Sequence, residues 1–125
     1  MKKCFLSQKG PKAIGPYSTL TRAGGTVYVS GMLGVNPETG KLAEGVEAQA
    51  QQAFTNLRTV LEEIGLNTDA ICKTTVFLQD LNDFAAVNAI YAEYFGPNYP
   101  ARSCVQVAKL PMGGLIEIES IAVEG

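Results

Sequence analysis

The sequence predicts an α+β fold, with one mixed β-sheet and two helices packed on one of its faces. Three observations predict it. Segments of two-residue alternation or dense β-branching are interleaved with two segments of three- and four-residue apolar spacing, in the order β-β-α-β-α-β-β. Two helices on short crossovers can cover only one face of such a sheet. The 125 residues contain no linker, repeat or low-complexity stretch, so residues 1–125 are expected to form a single domain.

Each element has its own warrant. A short opening strand is expected at 3–6. Residues 10–18, "GPKAIGPYS", form an ordered loop punctuated by two Gly-Pro pairs. "TLTRAGGTVYVSGML" gives two strands around the Gly24–Gly25 turn, the stronger being Thr26–Met32. "NPETGK" at 36–41 is a further turn. Residues 46–64 are a helix, because Val46, Ala50, Ala53, Phe54, Leu57, Val60, Leu61 and Ile64 recur on one side. Glu44 and Glu47 suit the positive end of its dipole, and Gly65 stops it. "AICKTTVFLQD", 70–80, is a strand. A second helix is expected over about 83–95, with Asn82 or Asp83 as N-cap, ended by Gly96–Pro97. Strands at 102–109 and 115–123 follow, joined by "LPMGG".

Alternation then assigns faces. Val27, Val29, Cys72, Val76, Leu78, Val105, Val107, Ile116, Ile118 and Ala122 are expected to face the helices. The opposite parity holds Tyr28, Ser30, Lys73, Thr75, Phe77, Gln79, Arg102, Cys104, Gln106, Glu117, Glu119, Ile121 and Val123. That second face is too apolar for water and too polar for a sealed core, so it is expected to be a subunit interface containing a polar cleft.

Composition excludes several functions. The chain is 46% hydrophobic and 18% charged, ordinary for a globular protein, with formal net charge −2 and no basic run to neutralise phosphates. The opening residues lack the apolar core of a signal peptide, and no apolar run approaches the ~20 residues of a membrane span. Three scattered cysteines, Cys4, Cys72 and Cys104, suit reduced thiols, so a cytoplasmic location is expected. There is no histidine, which removes histidine bases, histidine triads and the usual histidine-containing metal sites.

Chemistry therefore rests on other groups. Arg102 offers a permanently charged planar fork that matches a carboxylate, or an ion pair with Glu117 or Glu119. Glu117, in the alternating "LIEIES", is the natural acid–base candidate if part-burial raises its pKa, and Glu119 shares its parity. Cys104 would have a lowered pKa beside Arg102, but without a histidine base it reads better as a small wall residue. Asn88 falls on the apolar stripe Phe84, Asn88, Tyr91, Phe95 and needs hydrogen-bond partners, a backbone group being the simplest. Tyr17 packs in its loop or lids a cleft. Ser30–Gly31 is a strand bulge or offers donors to a ligand.

The motifs "AIGPYS" (13–18), "VYVSGMLGVNPETG" (27–40), "KTTVFLQDLNDFAAVN" (73–88), "PARSCVQVAKLP" (100–111) and "IEIESIAV" (116–123) resemble, end to end, the reactive intermediate deaminase family, RidA or YjgF-like. The resemblance implies a chorismate-mutase-like fold assembled as a homotrimer with clefts between subunits. It implies hydrolysis of enamines and imines such as 2-aminoacrylate to 2-keto acids and ammonia, with no metal or organic cofactor. Carried over, Arg102 would clamp the substrate carboxylate and Glu117 would activate water. Tyr17, Ser30, Gly31, Asn88 and Cys104 would line the cleft. The chain departs from the family in "FGPNYP", a shorter loop before Pro100. Two alternatives stand beside the deaminase: a non-catalytic module that binds small carboxylates, and an endoribonuclease or translation inhibitor, which the acidic balance disfavours. In a simple hairpin of the last two strands, Arg102 would oppose Ala122 and lie about 16 Å from Glu117. The family topology avoids that pairing by placing 70–79 between them, and it leaves open which subunit supplies each residue.

Overall fold

The computed structural model describes residues 1–125. Six strands form one sheet in the order β1-β2-β3-β6-β4-β5: β1 Lys3–Phe5, β2 Leu20–Ala23, β3 Thr26–Leu33, β4 Ile71–Leu78, β5 Ala101–Gln106 and β6 Ile116–Val123. All neighbours are antiparallel except β4 and β5. Helix α1, Val46–Glu63, follows β3, and α2, Phe84–Phe95, makes the crossover between the parallel pair β4 and β5. No helix is long and apolar enough to cross a membrane.

Local chemistry explains the connections. Gly24 and Gly25 have φ of 57° and 82°, the two left-handed conformations that a tight hairpin of the β2–β3 type requires. At the end of α1, Gly65 at φ 79° donates to Glu62 O, and Leu66 N donates back to Leu61 O. This is the paired arrangement that satisfies a helix's last carbonyls. In front of α2, Asp83 makes no side-chain cap. A 3-10 turn, Leu81–Asp83, precedes the helix, and the Asp80 carboxylate accepts from Asn82 N instead.

Both helices pack on one face. Val27, Val29, Val76, Leu78, Ile116, Ile118 and Ala122 meet Phe54, Leu57 and Leu61 of α1 and Val87, Tyr91 and Phe95 of α2. Phe54 contacts Tyr91 and Phe95 edge-on, with ring centroids 5.7 and 5.3 Å apart. Two amides that periodicity treats as surface are buried in α1. Asn56 donates to Leu33 O and Val35 O, and Gln49 donates to Ala43 O and accepts from Leu115 N. They satisfy backbone groups where the sheet pairing ends.

Three face assignments are corrected. Cys72 is exposed, because β4 slips by one residue between Ile71 and Lys73 and Ile71 takes the core position. Strand β5 is inverted: its register pairs Cys104 with the buried Val76 and Arg102 with the buried Thr74, so both face the helices. Val105 pairs with Phe77 on the open face and is exposed. Parity failed there because β5 is an edge strand whose helix-side positions sit at the rim of the core. Third, the core stripe of α2 is Val87, Ile90, Tyr91 and Phe95, while Phe84 and Asn88 lie at its margin. Strand β4 does separate β5 from β6, so no hairpin joins the last two strands.

Candidate active site

Arg102 projects from the edge strand β5 toward α2. Its Nη1 donates to Asn88 Oδ1 at 2.7 Å, and its Cζ lies 4.7 Å from the Tyr91 ring centroid and 5.4 Å from that of Phe84. Asn88 thus binds a side chain where a backbone partner was expected. No carboxylate pairs with Arg102; the single ion pair of the chain joins Arg22 to Glu124. Four of the five guanidinium N–H groups are therefore left for a ligand or water. They border a cavity of about 390 Å³ lined by Asn88, Tyr91, Ala92, Tyr99, Pro100 and Arg102. Cys104 lies on the same face and packs against the core. Burial pushes its thiol pKa up and outweighs the opposing pull of Arg102, so it is a protonated wall residue and not an activated thiol.

Glu117 occupies the open face, in a row that runs Leu33, Glu117, Phe77, Val105 across four strands. Burial pushes its carboxyl above the usual range, and the like charge of Glu119 adds to the shift. Its side chain lies over the backbone of Gly31. A Cβ placed at Gly31 would stand 2.5 Å from Glu117 Oε2 and 2.8 Å from Cδ, so that position has to be glycine for the carboxylate to sit as it does. The space exists because β3 changes register between Val29 and Met32, a bulge that contains Ser30 and Gly31. Ser30 Oγ donates to Ser18 O at 2.7 Å and Ser30 N to Thr19 O, which fastens the loop carrying Tyr17 to the bulge. Tyr17 is exposed, and its hydroxyl accepts from Ile14 N at 3.4 Å.

The residues therefore form two clusters. Arg102, Asn88 and Cys104 stand on the helix side of β5, while Glu117, Gly31, Ser30 and Tyr17 stand on the open face and beside β3. Arg102 and Glu117 were expected on one face and lie on opposite faces of the sheet, since their register partners on β4 are the buried Thr74 and the open-face Phe77. Tyr91, whose ring faces Arg102, and Thr74, which bonds the Tyr91 hydroxyl, were not marked by the sequence as site residues. The available signal was the three-residue spacing from Asn88 to Tyr91.

Comparison with known proteins gives a consistent picture. The family model described as endoribonuclease L-PSP matches residues 7–124. The 2-iminobutanoate/2-iminopropanoate deaminase of Salmonella typhimurium is 48% identical over 126 residues, covering 98% of each chain. Crystal structures of RidA from an Antarctic Psychrobacter and of E. coli TdcF with bound serine superimpose with TM-scores of 0.94 and 0.92. They are 44% and 41% identical, with 98% of this chain and 99% of theirs covered in both cases. The chain belongs to the endoribonuclease L-PSP family, whose relatives include RidA and YjgF.

Proposed function

We propose that this chain is an imine and enamine deaminase. It hydrolyses 2-aminoacrylate and its tautomer 2-iminopropanoate, and 2-iminobutanoate, to 2-keto acids and ammonia. The observation that carries this reading is a guanidinium anchored by Asn88, bordering a cavity and lacking any acidic partner. Deaminases of nearly the same length are close relatives. Residues 1–125 act as one chorismate-mutase-like domain in a cytoplasmic homotrimer. The open face, with exposed Tyr28, Val105, Ile121 and Val123, supports association. Because the sheet stands between Arg102 and Glu117 in one protomer, each cleft takes Arg102, Asn88 and Cys104 from one copy, and Glu117, Gly31, Ser30 and Tyr17 from its neighbour.

The chemistry then needs only these groups and water. Arg102 binds the substrate carboxylate with two parallel bonds and fixes the imine carbon beside Glu117. Glu117, ionised, takes a proton from water as the oxygen attacks that carbon and returns it to the imine nitrogen, giving a tetrahedral amino alcohol. It then carries the hydroxyl proton to the amine nitrogen, the C–N bond breaks, and ammonia leaves as the oxygen becomes the keto group. An elevated carboxyl pKa helps, because the same group must accept and return a proton near neutrality. The direct test generates 2-aminoacrylate with a dehydratase and follows keto acid release. Wild type should accelerate release and Arg102→Ala should not; no acceleration by wild type contradicts the proposal.

The family description favours one further reading, RNA cleavage. Net charge −2 and the absence of histidine count against it. RNase activity of purified protein that vanishes with Arg102→Ala would support it.

A further inference from the structure

Tyr91 touches Arg102 and has no role in the chemistry above. Its ring lies 4.7 Å from Arg102 Cζ, and its phenol oxygen is 2.7 Å from Thr74 Oγ1. Thr74 is fully buried, has no other side-chain partner, and is the register partner of Arg102 on the neighbouring strand. The three residues close a triangle. Strand pairing holds the Arg102 and Thr74 backbones together, the hydroxyl pair ties Tyr91 to Thr74, and the ring returns to the guanidinium. One helical turn of α2 thus presents an acceptor, Asn88 Oδ1, and an aromatic face to the same cation. Burial pushes the Tyr91 phenol pKa up, so the phenol stays protonated and neutral.

We infer that Tyr91 and Thr74 are positioning residues that set the plane of the Arg102 guanidinium, so that the donors not held by Asn88 point into the cavity as a fork for a carboxylate. A fork delivers two parallel bonds only when its plane is fixed, and a single hydrogen bond to Asn88 leaves rotation about that bond free. This rests on Arg102 being the carboxylate clamp. The ligand group it selects is a carboxylate, met by two parallel N–H bonds.

The test compares affinity for a short 2-keto acid with affinity for its uncharged amide, measured by inhibition of turnover. Tyr91→Leu should weaken the acid about three- to thirty-fold and the amide far less, the span expected for losing a partly desolvated ring–cation contact. Tyr91→Phe and Thr74→Val should each weaken the acid by a smaller factor, with the double variant no worse than either single one. These two conservative changes carry the test if Tyr91→Leu does not fold. Ser120 is the next residue in the same row, and its buried hydroxyl has no partner. Ser120→Ala should therefore leave acid affinity unchanged. Equal weakening of acid and amide, no effect of Tyr91→Phe and Thr74→Val, or an equal effect of Ser120→Ala overturns the inference while the clamp stands. Unchanged acid binding by Arg102→Ala overturns the clamp itself, and the inference with it.

Discussion

Arg102 and Glu117 carry opposite charges but are prepared in different ways. Arg102 is held open: one hydrogen bond and two aromatic faces restrain it, and no acid quenches it. Glu117 is made reluctant to ionise by burial and by Glu119. Glu117→Gln should lower kcat by about 10²- to 10⁴-fold while keto acid affinity changes little, since general base catalysis contributes on that order. Equal loss of affinity and turnover would show Glu117 to be a binding group. The sign of its pKa shift fixes the pH profile. The base works ionised, so activity falls as pH drops through its raised pKa. Glu119→Gln removes a like charge, lowers that pKa and should move the acid limb of the kcat/KM profile to lower pH. A shift to higher pH contradicts the assignment. The sequence singled out both residues by type; Glu117 lies on the face that parity assigned it, and Arg102 does not. The alternation of β6 is clean because strands flank it on both sides, whereas β5 is an edge strand on which Val105 and Cys104 exchange their expected places.

At the scale of elements, two devices shape the open-face cluster. The β3 bulge opens room for the Glu117 side chain, and the absence of a Cβ at Gly31 lets it lie there. Gly31→Ala should therefore reduce kcat strongly while shifting the melting temperature by only a few degrees, because the Glu117 carboxylate must move away and backbone φ is not strained. Loss of folding in proportion to loss of activity would contradict this. The second device is α1, whose buried Asn56 ties down the carbonyls of Leu33 and Val35 at the end of β3. Asn56→Leu leaves both carbonyls without that donor and should cost about 1–3 kcal/mol in urea unfolding. A neutral result would mean that water replaces the amide. The helices were readable from apolar spacing to within about a residue at most ends. Buried polar groups such as Asn56 and Gln49 were not, because periodicity scores apolar residues and is silent on amides that serve backbone groups.

For the whole molecule, the sheet itself is the constraint. It presents one face to the helices and leaves the other, with Tyr28, Ile121 and Val123, exposed. If the proposed cleft is shared between copies, placing a charge there, as in Ile121→Asp, should give a monomer in sedimentation and abolish turnover together. An active monomer would contradict the shared cleft. The mixed polarity of this face leads the sequence to expect an interface there, but not that the sheet would separate Arg102 from Glu117, which depends on the inverted β5. That separation makes subunit mixing the most direct test. Arg102→Ala chains and Glu117→Ala chains, each inactive alone, are co-refolded and assayed for imine hydrolysis. If each cleft takes one residue from each of two copies, random mixing should restore about a quarter of wild-type activity. If every mixture stays inactive although the chains are shown to co-assemble, the two residues act within one protomer and the account is wrong.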